Sequence, residues 1–146
     1  MLNRSLSIAF AAFISLTTAA TAYASKAVSC TRTLDLASRV DVSSYPTNIA
    51  VDVTIYNNDT ATTVTLTQLQ DWPFQTQPVR FVHELPPGTS TGGTFPLVIN
   101  SYEQCAELAG ADPDDIAERE PIELKTFTKV WSSVGTTKCK ATLVCH

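Results

Sequence analysis

A chain of 146 residues with 44% hydrophobic residues is long enough for one domain with its own core. Fourteen acidic against 10 basic side chains give a net charge of −4. That balance argues against nucleic-acid binding and against docking on anionic lipid.

The N-terminus reads as an export signal. Arg4 supplies a positive start, Ser7 to Ala20 a short apolar run, and Ala22-Tyr23-Ala24 a cleavage site. Residues 1–24 are therefore predicted to be removed, leaving a single domain from Ser25 to His146. The apolar run is too short and too hydroxyl-rich for a membrane span, and no later stretch is better suited. The expected product is exported: secreted or in the endoplasmic reticulum lumen, or in the periplasm or on the cell surface of a bacterium. It is expected to carry no transmembrane segment.

Ser25 to Thr33 forms a lead containing Cys30. Leu34 to Val42 alternates as a strand with a bulge at Ala37-Ser38, and Ser43 to Thr47 turns at Pro46. The most regular stretch follows. Ile49, Val51, Val53 and Ile55 alternate with polar or small residues, Asn57-Asn58-Asp59 interrupts, and Val64 and Leu66 resume. A period of two with β-branched residues marks half-buried strands. Asn48 to Asp71 is predicted to be a β-hairpin.

Gln70 to Pro78 loses the alternation. Trp72-Pro73-Phe74 is a compact aromatic unit, read either as a plug at the end of a sandwich or as an anchor for a partner. Val79 to Leu85 is a strand with Val79, Phe81, His83 and Leu85 on one face. Pro86-Pro87-Gly88 ends it, and Thr89 to Gly93 reads as a polar loop. Thr94 to Asn100 is a strand whose Pro96 cannot donate to a ladder, so it is placed at an edge.

Ser101 to Pro121 breaks the β pattern. Ser101 with Gln104 has capping-box spacing and Gly110 is a stop. Asp112-Pro113 starts a second helical turn. Asp112, Asp114 and Asp115 lack the glycine and terminal glutamate of a calcium loop, so a capped, solvated turn is the reading and no metal is assigned. Ile122 to Trp131 is a long strand with Ile122, Leu124 and Val130 on one face. Phe127 and Trp131 lie on the other, beside Lys125 and Lys129. That second face is either covered by the helical insertion or is a contact surface. After a turn at Gly135, Thr137 to Cys145 closes the sheet.

Cys30, Cys105, Cys139 and Cys145 are expected to form two disulfides, as an even number in an exported domain implies. Cys139 and Cys145 share a strand face but lie too far apart along it to bond each other. Their partners are Cys30 and Cys105, in either order.

With two histidines, no Gly-x-Ser-x-Gly elbow, no phosphate-cradling glycine loop and no HExxH helix, the sequence offers no catalytic motif and implies no cofactor. Asn58-Asp59-Thr60 is a glycosylation sequon at the tip of the predicted hairpin.

The run VDVTIYNNDTATTVTLTQLQDWPF, followed by VRFVHELPPGTSTGGTFPLVI, resembles the lumenal domain of the translocon-associated protein beta subunit. The likeness rests on Ile55-Tyr56-Asn57, Val64-Thr65-Leu66, Asp71-Trp72-Pro73 and Leu85-Pro86-Pro87-Gly88. It spans Val51 to about Ile99. It implies a non-catalytic immunoglobulin-like domain in the endoplasmic reticulum lumen that contacts the protein channel. That family has a C-terminal membrane span; none is seen here before His146. The whole pattern predicts an all-β, immunoglobulin-like antiparallel sandwich of about seven strands, with a short helical insertion before the last two. Its function is predicted to be binding, through a protein partner at Trp72, Phe74, Phe127 and Trp131. The alternative is a secreted, disulfide-stabilised effector or inhibitor acting through Thr89 to Gly93 or the acidic Glu103 to Glu123 segment.

Overall fold

Alternating apolar residues fold here into two sheets that close over one core. The computed structural model describes residues 26–112, 114 and 120–146. The predicted signal peptide and most of the Asp112–Glu118 turn lie outside these residues. Eight strands occur among them: β1 (Val28–Leu34), β2 (Arg39–Val42), β3 (Thr47–Asn57), β4 (Val64–Trp72), β5 (Val79–Leu85), β6 (Ser90–Ile99), β7 (Ile122–Ser132) and β8 (Gly135–Cys145). One helix, α1 (Tyr102–Leu108), precedes the last two strands, where the helical insertion was expected.

The predicted hairpin does not form. β3 belongs to a three-stranded sheet ordered β1-β3-β6, whereas β4 belongs to a five-stranded sheet ordered β2-β8-β7-β4-β5. Ile49, Val51, Val53 and Ile55 on β3 and Val64 and Leu66 on β4 are all buried, but they face each other across the core. Buried Asn57 fixes the crossing. Its amide nitrogen donates to the carbonyls of Thr62, Leu85 and Pro86 at 2.9, 3.0 and 3.2 Å, and its oxygen accepts the Asp59 amide at 3.0 Å.

The N-terminal strand also differs from expectation. The predicted lead is largely β1, and the predicted Leu34–Val42 strand is split. Asp35 and Leu36 adopt positive φ values of 46° and 70°. The turn carries the chain from one sheet to the other, and β2 then runs parallel to β8. The antiparallel pattern is therefore mixed at that edge.

β6 begins at Ser90, so the predicted Thr89–Gly93 loop is mostly strand. Gly92 lies against the backbone of Val53 and Thr54, where a Cβ would collide with the Val53 carbonyl. Pro96 sits on β6, which among the described residues pairs only with β3 and is an edge, as its missing donor required.

α1 has the predicted cap. Ser101 Oγ accepts the Gln104 amide at 3.0 Å, and the Gln104 side chain accepts the Asn100 amide at 2.7 Å. Gly110 follows at φ 78°. Tyr102, Cys105 and Ala106 are buried, placing α1 against the core.

Two disulfides tie this frame. Cys30 on β1 bonds Cys139 on β8, with Cα atoms 5.7 Å apart, and joins the two sheets. Cys105 on α1 bonds Cys145 at the end of β8, with Cα atoms 6.5 Å apart. Among the described residues no helix is long and apolar enough to cross a membrane.

Candidate functional site

The outer face of the five-stranded sheet is built from cross-strand rows. The β7–β8 hairpin sets Trp131 opposite Thr136, Lys129 opposite Lys138, Phe127 opposite Lys140, and Lys125 opposite Thr142. β4 extends these rows with Gln68, Gln70 and Trp72 opposite Trp131, Lys129 and Phe127. Arg80 on β5 continues the first row beside Gln68. Arg39 on β2 completes the last beside Thr142. An irregularity between Leu66 and Gln68 sets this register. It keeps Leu66 and Asp71 inward while Trp72 turns out.

Aromatic rings and ammonium groups interleave on this face. Trp72 and Phe127 stack with ring centroids 6.1 Å apart. The Lys138 ammonium lies 4.1 Å from the Phe127 ring centroid and that of Lys129 lies 4.8 Å from Trp131. Trp72 remains 42% exposed. α1 lies instead against the core, linked to the end of β8.

The predicted contact residues therefore separate into two groups. Trp72, Phe127 and Trp131 share the outer face. Phe74 does not join them: it is partly buried and packs against the core. The Trp72-Pro73-Phe74 unit divides because Trp72 is still the last residue of β4, and the chain turns inward only after it.

Asn58 is exposed, but its amide nitrogen is engaged, donating to the Lys26 carbonyl at 3.1 Å and to Ser29 Oγ at 2.9 Å. A glycan on that nitrogen would replace one of the two protons that hold the N-terminal strand.

His83 is exposed beside a cleft of about 370 Å³ between the edge strands β5 and β6, lined in part by Val53, Leu66, Phe81, Gly92 and Phe95. Among the described residues His83 makes no hydrogen bond to a carboxylate or hydroxyl, and no cluster of three or more metal-ligating side chains forms. Asp112 instead accepts the Asp114 amide at 3.0 Å.

A charged pair lies inside the fold. Arg32 on β1 crosses between the sheets to bond Asp71 on β4. It also donates to Thr126 Oγ1 at 3.0 Å and Thr128 Oγ1 at 2.9 Å. Among the described residues one terminal nitrogen of Arg32 has no partner. Burial pushes the Asp71 carboxyl up from the ordinary aspartate range, against the opposing pull of Arg32 and Thr128. Burial likewise lowers Arg32 against the pull of Asp71. Sealed from solvent, this pair supports the core and is not placed to meet a ligand.

No protein family matches this chain, and no curated protein does.

The sequence pointed to Phe127, Trp131, Lys125 and Lys129 on one strand. Lys138, Lys140 and Arg80 were missed as members of the same face. The β7–β8 turn held a usable signal: pairing outward from Ser132 and Gly135 brings Lys138 opposite Lys129.

Proposed function

We propose that the chain is a non-catalytic, exported binding module of immunoglobulin-like type, whose contact surface is the outer face of the five-stranded sheet. The fold reading is supported by a first strand divided between two sheets as β1 and β2, and by a chain that changes sheet repeatedly, at β2–β3, β3–β4, β5–β6 and β6–β7. The functional reading is carried by one observation: Trp72, Phe127 and Trp131 stand together on that face, with Trp72 substantially exposed. Two disulfides suit an oxidising compartment. The resemblance to the translocon-associated protein beta subunit makes a protein-channel component the first partner to seek.

The test is a photo-crosslinking residue at Trp72, compared with one at exposed Thr31 on the three-stranded sheet, in the protein's own source cell. Specific adducts from Trp72 and none from Thr31 are expected. Adducts from neither position, or from Thr31 alone, would overturn the assignment of this face. Adducts formed with channel subunits would make the resemblance functional, whereas adducts formed only outside the cell would restrict it to the fold.

A further inference from the structure

Resting on that reading and extending it, we infer that the outer face of the five-stranded sheet docks an acidic segment of a protein partner, one in which carboxylates are interspersed with apolar side chains.

Charge segregation comes first. The chain has 10 basic residues and a net charge of −4, yet Arg39, Arg80, Lys125, Lys129, Lys138 and Lys140 all belong to this one face. Arg39 is ion-paired to Glu123. Among the described residues the other five have no carboxylate partner. The rows led by Trp131, Lys129 and Phe127 contain no acid. A face with this field attracts and orients an acidic partner.

The second observation is a local conflict. Like charges directly opposite on neighbouring strands repel, and Lys129 stands opposite Lys138. Their ammonium groups lie over different rings, Trp131 and Phe127. An acid at either position would remove the repulsion. Each ring contact steadies its own ammonium group, but neither supplies the opposite charge, and a like-charge pair left in place on an open face is expected where a surface is kept for binding.

The ring geometry selects among anions. Stacking a nucleobase needs an open aromatic face. Phe127 is already engaged by Trp72 and Lys138, and Trp131 by Lys129, which leaves Trp72 as a single exposed ring rather than a run of stacking platforms. What the surface offers is ammonium groups beside apolar ring edges, which suits carboxylates and aliphatic side chains together.

The probe is a short fluorescent peptide of glutamate and leucine, titrated by anisotropy against the oxidised protein. A lysine–leucine peptide, heparin and oligo-dT are the comparisons. The acidic peptide should bind, more weakly as salt rises, and the basic one should not. Lys138→Glu should weaken binding at least about tenfold without lowering the melting temperature, since it relieves the repulsion with Lys129. Lys138→Ala should weaken binding less, and Thr31→Glu, exposed on the three-stranded sheet, should leave it unchanged. Equal binding of acidic and basic peptides would overturn the proposal, as would indifference to Lys138→Glu. Tighter binding of heparin or oligo-dT through the same lysine would also overturn it. Self-association dispersed by Lys138→Glu would overturn it by naming a second copy as occupant. If peptide binding fails while crosslinks from Trp72 persist, only the acidic chemistry is lost; if both fail, the assignment of the face falls too.

Discussion

Arg32 and Asp71 meet in the core from opposite sheets, and their side chains are 0% and 4% exposed. A buried ion pair stabilises little over an apolar replacement, but breaking it leaves a desolvated charge behind. Asp71→Asn or Arg32→Met alone should therefore lose about 3–5 kcal/mol in urea unfolding. The double variant Arg32→Met with Asp71→Leu should lose less than either single change. Additive losses would show that the two side chains do not act as a unit.

Asn57 holds the crossing between the sheets through three carbonyl acceptors and the Asp59 amide. Asn57→Ala strands buried carbonyls, and a loss of about 2–3 kcal/mol is expected in denaturant unfolding. Asn57→Asp should be at least as damaging at neutral pH, because a carboxylate has no N–H to give those carbonyls. A change within experimental error for both variants would show that the loop reaches its path without this side chain.

The two disulfides close loops of different length, with sequence separations of 109 for Cys30–Cys139 and 40 for Cys105–Cys145. Loop entropy alone predicts stabilisation of about 5 and about 4 kcal/mol respectively. Paired Cys→Ala replacements, compared by chemical unfolding, should show the greater loss for Cys30 with Cys139. The reverse order would mean that fastening α1 outweighs joining the sheets.

Asp59 accepts the amides of Ala61 and Thr62 at 2.8 and 3.2 Å. The hydrogen bond from Ala61 is the largest cause holding its carboxyl below the ordinary value of 3.8. A depressed folded pKa contributes stability present above the unfolded value and lost as pH falls through the folded one. Nuclear magnetic resonance titration should place the Asp59 midpoint below 3.8. The stability difference between wild type and Asp59→Asn should shrink as the solution is acidified through that midpoint. A midpoint at or above the ordinary value would show the turn to be open in solution.

Much of the burial pattern was legible in the sequence, and much of the pairing was not. Alternation at Ile49, Val51, Val53 and Ile55 states which side of a strand meets the core. It does not say which strand lies alongside, so β3 and β4 read as a hairpin although they belong to different sheets. Pro96 and the Ser101–Gln104 cap were readable because each rests on one backbone donor or a contact four residues long at most. The sheet change at Asp35 and Leu36 was not, because leucine gives no hint of a positive φ. Gly92 and Gly93 suggested a loop, yet Gly92 serves close approach between β6 and β3. For the candidate site, the aromatic residues were visible one strand at a time. Its lysines became a group only through register, a property of two strands and their turn.

The pairing of Cys30 with Cys139 has a consequence in time. A chain made from its N-terminus presents Cys30 first and Cys105 second, and neither is the other's partner. Both correct sulfurs arrive together on β8, well after Cys30 and Cys105. Until then, oxidation can only join the wrong two, so a compartment that oxidises this chain must also be able to undo its first bond.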